Sequence, residues 1–163
     1  MPFLIIIFIL GILFGWIVND LHNDMFFEYL MYGEGAGKER ASPSDTIKES
    51  DIHLLKDKII IYTTDLPNLT WASYTDTNSM DPVLDELTHG FEYRPSNISG
   101  TVQVGDIISY TKPKLGFIIH RVIETGWDGF GWYAIVKGDN LRHIDPYKIR
   151  ENDVQGILFA LVY

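Results

Sequence analysis

The chain contains no cysteine, so no disulfide supports its fold and no thiolate site can hold a metal. It is also short of basic charge: 13 lysine and arginine residues stand against 22 aspartate and glutamate, a formal net charge of -9. Nucleic-acid binding requires clustered basic side chains to displace counterions, and no such cluster is visible, so a nucleic-acid partner is excluded. Charge of either sign is missing from Pro2 to Val18. At helical rise that run extends about 26 Å, close to the thickness of a bilayer's hydrocarbon core. No basic segment precedes it, and Trp16 to Asp20 offers no small-residue cleavage pattern, so residues 1–19 read as a retained membrane anchor rather than a cleaved leader. Asp20, Asp24, Glu28 and Glu34 follow it, with no Lys or Arg before Lys38, which places the downstream part on the extracytoplasmic side of the membrane.

Glycine and small polar residues crowd Gly33 to Ser44, a composition too poor in apolar surface to order itself, and this reads as a flexible linker. Ahead of it, Leu21 to Tyr32 mixes Met25, Phe26, Phe27, Tyr29 and Leu30 with acids, which fits an interfacial segment or a piece of core equally well. Residues 20–51 are therefore assigned to an interfacial segment and linker, and residues 52–163 to a folded domain. Within that domain β-branched and aromatic runs predict strands over 52–55, 59–63, 69–75, 106–111, 117–125, 132–137 and 154–163. Asp85 to Thr88 has helical character, and Gly126 to Gly129 reads as a turn between two strands. The expected architecture is mainly β: a compact antiparallel sheet domain tethered by one N-terminal transmembrane helix. Asn68 and Asn97 begin Asn-x-Ser/Thr triplets, acceptors for glycans in an exported, glycosylated protein.

The chemistry-bearing groups come in the order serine, histidine, aspartate. Ser79 lies in Thr77-Asn78-Ser79-Met80-Asp81-Pro82, just after a predicted strand, where Pro82 restricts the backbone of its predecessor. A serine in such a setting is ordinarily a turn residue. It becomes a nucleophile only when a base removes its proton and a carboxylate orients that base. His120 falls inside the predicted strand Phe117 to Ile123 and by alternation shares a face with Ile118 and Val122. A buried histidine there needs a partner for at least one ring nitrogen, whether it is a core residue or a general base. Asp139, in Gly138-Asp139-Asn140, and Asp145 each suit the role of orienting acid, and His143 between them is a rival base on a less rigid mount.

The blocks Ser79-Met80-Asp81-Pro82, Val104 to Tyr110, Ile119-His120-Arg121-Val122-Ile123 and Val136 to Asn140, with Asp145 beyond, resemble the type I signal peptidase family in content, order and spacing. The likeness runs from about Leu69 to the C-terminus. Bacterial members use a lysine base, whereas the archaeal enzymes and the catalytic subunit of the endoplasmic-reticulum complex carry histidine in a His-Arg-Val block, as here. The resemblance implies a signal-peptidase/LexA-like fold, Ser79 as nucleophile, His120 as general base, Asp145 as third member and Asp139 as a second required acid. It further implies that the Ser79 amide and the Thr77 hydroxyl stabilise the oxyanion, that Asn78 and Met80 help to bind substrate, and that no metal or other cofactor takes part. The substrates implied are exported precursor proteins, held in extended form beside the strand before Ser79 at the bilayer surface. Two features depart from the family pattern: no Gly-Asp pair follows Pro82 within Val83 to Gly100, and Asp76-Thr77-Asn78 replaces the usual Ser-Gly before the serine. LexA-like self-cleaving proteins offer an alternative, although they use a lysine base and carry a DNA-binding region. A membrane-tethered binding module without turnover is the other alternative.

Overall fold

The computed structural model describes residues 40–163. The expected anchor and the segment up to residue 39 lie outside the described residues. Among the described residues no helix is long and apolar enough to cross a membrane. Ala41–Tyr163 forms one compact unit. Part of the predicted linker belongs to it: the Ser44 amide donates to Asp106 at 2.7 Å, and the Ala41 carbonyl accepts from Arg121 at 3.3 Å.

The unit is built from antiparallel strands, as the alternating apolar pattern requires. β1 (Ile52–Leu54) and β2 (Ile59–Ile61) make a separate two-stranded hairpin with mostly exposed side chains. The main sheet contains β3 (Thr70–Ser73), β4 (His89–Tyr93), β5 (Ile107–Lys112), β6 (Gly116–Asp128), β7 (Gly131–Lys137) and β8 (Val154–Val162). Their order across the sheet is β3-β4-β8-β5-β6-β7. One face of the sheet holds the larger core, in which Ile108, Tyr110, Val122, Ala134, Val136 and Val154 are wholly buried. Burying each aliphatic side chain of this kind contributes about 1.5–3 kcal/mol. A one-turn helix, α1 (Ile98–Thr101), supplies Ile98 to that core and is capped by the Asn97 side chain, which accepts from the Gly100 amide at 3.0 Å. The opposite face carries a smaller cluster of Met80, Leu84, Ile107 and Leu158.

Three details correct the expectations. Asp85 to Thr88 is a turn, not a helix, closed by the Thr88 amide on the Asp85 carbonyl at 3.1 Å and by the Asp85 amide on the Thr88 hydroxyl at 3.3 Å. The stretch after Pro82 then yields a strand, β4, that pairs with both β3 and β8. Gly126 to Asp128 stays inside β6, and the chain reverses at Gly129-Phe130 instead.

Candidate active site

β6 pairs with β5 so that His120 stands opposite Ile108, its ring on the same side as Tyr110. After β7 the chain turns at Gly138-Asp139-Asn140 and doubles back, the Asp145 amide donating to the Val136 carbonyl at 2.9 Å. This return brings Asp145 against His120: Nδ1 lies 2.9 Å from each carboxylate oxygen. Both side chains are nearly enclosed, 8% and 9% exposed. With a neutral ring that donates from Nδ1 to the carboxylate, the Nε2 lone pair has no partner among the described residues. Tyr110 donates its hydroxyl to the same carboxylate. Burial, and then the adjacent Asp145, push the Tyr110 phenol well above its usual range and keep it a donor.

Asp139 serves a different partner. Its carboxylate takes a bidentate pair from Arg121, Nε to Oδ1 at 2.9 Å and Nη2 to Oδ2 at 2.8 Å, while Arg121 Nη1 donates to the Gly105 carbonyl at 2.8 Å. The pair is buried and fork-shaped, the geometry that gives charged hydrogen bonds their directional strength. The Asp139 amide donates to the Met80 sulfur at 3.3 Å, so the Ser79 loop and this turn are tied at their centres.

The Ser79 loop is fastened further by Asn140, whose amide donates to the Ser79 carbonyl at 3.0 Å and whose side chain donates to the Asn78 carbonyl at 2.8 Å. Asn78 has φ 55, a left-handed conformation that asparagine tolerates better than most residues. Gly138 permits the contact: a Cβ there would come within 2.5 Å of the Ser79 carbonyl oxygen. The β6–β7 ladder ends with Arg121 opposite Lys137, the residue before Gly138. The Ser79 carbonyl therefore lies against the turn that follows β7.

The predicted residues are brought together in part. Asp145 joins His120, Asp139 joins Arg121, and Met80 is buried between the loop and the turn. The Ser79 hydroxyl is not hydrogen-bonded to His120; it pairs with the Thr77 hydroxyl at 3.1 Å. Among the described residues the Ser79 amide has no acceptor, as an oxyanion donor requires. His143 is exposed, and the Asp145 carboxylate pairs with His120 instead. Sequence reasoning gave no role to Tyr110 or Arg121. A tyrosine on an apolar strand face must find a partner for its hydroxyl, and that requirement was the available signal for Tyr110.

Ser79 opens onto a cleft of about 750 Å³ that runs over the smaller-core face of the sheet. Its lining mixes apolar Met80, Leu84, Phe117 and Ile119 with polar Thr70, Glu92 and Ser109. Phe117 is 78% exposed at the rim. Among the described residues no group of three or more His, Cys, Asp or Glu side chains is arranged to hold a metal ion. Comparison of the chain with protein-family models, with curated proteins and with solved structures found no match.

Proposed function

We propose that the protein is a membrane-anchored serine endopeptidase of the type I signal peptidase kind, cleaving exported precursors at the extracytoplasmic face of the bilayer. The observation that carries this reading is the enclosed His120–Asp145 pair, together with the grip on the Ser79 loop of the turn that leads from β7 to Asp145. On this reading the sheet is a signal-peptidase/LexA-like fold, residues 1–19 span the membrane, and the domain works without a cofactor. Tethering enzyme and precursor to one surface raises their effective concentration.

The chemistry runs as acyl transfer. Ser79 Oγ turns from Thr77 toward Nε2 and attacks the scissile carbonyl carbon while Nε2 takes its proton. The negative oxygen is met by the Ser79 amide and the Thr77 hydroxyl, and the imidazolium by Asp145. His120 then gives the proton to the departing amine nitrogen as the C–N bond breaks, leaving an acyl-Ser79. Water attacks that ester, His120 takes its proton and returns it to Ser79. Arg121–Asp139 positions the turn and touches no reacting atom. The test is processing of an exported precursor by the full-length chain and by Ser79→Ala. Only the wild type should release the mature protein; equal processing by both would remove the assignment.

A membrane-tethered binding module is the second reading, favoured by one observation: the Ser79 hydroxyl bonds Thr77 and not the histidine. On that reading neither chain processes the precursor, and both bind it.

A further inference from the structure

Glu92 lies in the floor of the Ser79 cleft, 6% exposed, with its carboxyl stretched across β8. Gly156 makes the room: a Cβ there would come within 2.4 Å of Glu92 Oε2 and 3.2 Å of Ser109 Oγ. Ser109 donates to Oε2 at 2.5 Å from β5, and Tyr74 donates to Oε1 at 3.4 Å from beyond β3. Both donors are neutral, and among the described residues the cleft lining contains no lysine, arginine or histidine. An anion enclosed without a counter-charge is costly, and burial accordingly raises the Glu92 pKa. A packing role alone needs no acid in this place, since a glutamine would accept from Tyr74 through its single oxygen and donate through its amide nitrogen to a Ser109 hydroxyl turned to accept. What an acid adds is attraction for a cation arriving from the open side.

We infer that Glu92 is a specificity-determining residue, which makes the cleft select a peptide segment that carries a lysine or arginine side chain. This rests on the endopeptidase reading for its substrate, an extended peptide laid along the β3 edge with alternate side chains entering the cleft. The aliphatic stem of the basic residue lies on Met80, Leu84 and Ile119 while its charged end reaches the Glu92 carboxylate. The entering cation supplies the missing counter-charge, and the carboxylate and the two hydroxyls supply acceptors for its N–H groups.

The test uses two sets of peptides with lysine or uncharged norleucine scanned through the positions flanking one cleavage site. They are offered to the full-length chain, to Glu92→Gln and to Ser79→Ala. At one position the wild type should prefer lysine by about tenfold in kcat/KM, the low end for a hydrogen bond between charged groups. Glu92→Gln should treat the two peptides alike. Equal use of lysine and norleucine by the wild type at every position overturns the inference, as does a preference that survives in Glu92→Gln. Fluorescence anisotropy with the non-cleaving Ser79→Ala chain reads the same discrimination as binding, so it answers even when no peptide is cut. Lysine-selective binding without any turnover would sink the peptidase reading and keep the cation site, whereas turnover without lysine selectivity would do the reverse. Should Glu92→Gln fail to fold, the wild-type comparison still decides.

Discussion

Asp145 is held by two donors of different character: an imidazole that must become charged in the proposed reaction and a phenol that must not. The distinction is set by place, because Tyr110 is buried in the larger core while Nε2 of His120 has no hydrogen-bond partner among the described residues. Replacing the acid with its amide leaves the shape nearly unchanged and removes the counter-charge for the imidazolium. It also lets the ring adopt the tautomer with its hydrogen on Nε2, where it can no longer accept the serine proton. Asp145→Asn should therefore lower kcat by about 10⁴-fold, the loss typical when the acid of a catalytic triad becomes an amide, with little change in KM. Steady-state kinetics on a precursor peptide checks this, with circular dichroism to establish that the sheet is intact. Asp139→Asn should act differently, through the Arg121 fork and hence through loop position and folding.

At the level of elements, the site depends on one turn being narrow enough for a loop from elsewhere to lie on it. Gly138→Ala sets a methyl group against the Ser79 carbonyl and must push the loop away. Forced overpacking of this kind costs about 1–3 kcal/mol of stability, and peptidase activity should fall much further than stability does. Denaturant titration alongside activity measurement separates the two effects. The strands β5 to β8 were legible in the sequence because they are runs of β-branched and aromatic residues with a largely apolar buried side, as in Ile108, Tyr110, Val122, Ala134 and Val136, and β7 alternates strictly. β4 was not, because its inward residues include Gly90 and Glu92: the glycine leaves room for the Tyr74 hydroxyl, and the acid is satisfied by side chains distant in sequence. Asp85 to Thr88 resembled a helix for the opposite reason. Its local composition is helical, yet a threonine hydroxyl three residues on captures the amide that would start one. The histidine–aspartate pair was readable as a set of candidates, since it needs only the right residue types on neighbouring elements. The choice between Asp139 and Asp145 depends on the path of the chain after β7, which spacing alone does not give.

For the molecule as a whole, the buried Glu92 links the cleft to stability. Its pKa is raised in the folded chain above the ordinary 4.5, chiefly by burial, while Ser109 and Tyr74 oppose the shift. Below that ordinary value both folded and unfolded chains hold the proton, and the group causes no loss. As pH rises through the interval up to the folded pKa, the unfolded chain releases its proton first, so stability falls. Glu92→Gln abolishes this contribution. Melting curves on either side of the interval should show the variant gaining on the wild type as pH increases, and a constant difference would contradict the assignment. The two-point grip of Asn140 on the Ser79 loop has a further consequence, in the language of amide exchange. Asn140 is exposed, but its backbone N–H donates to the Ser79 carbonyl. That single proton can be traded with solvent only when the loop lifts off the turn. Its exchange rate is thus a clock for opening of the proposed catalytic centre, and it can be set against the slower protons of β5 and β6, which report the unfolding of the entire sheet.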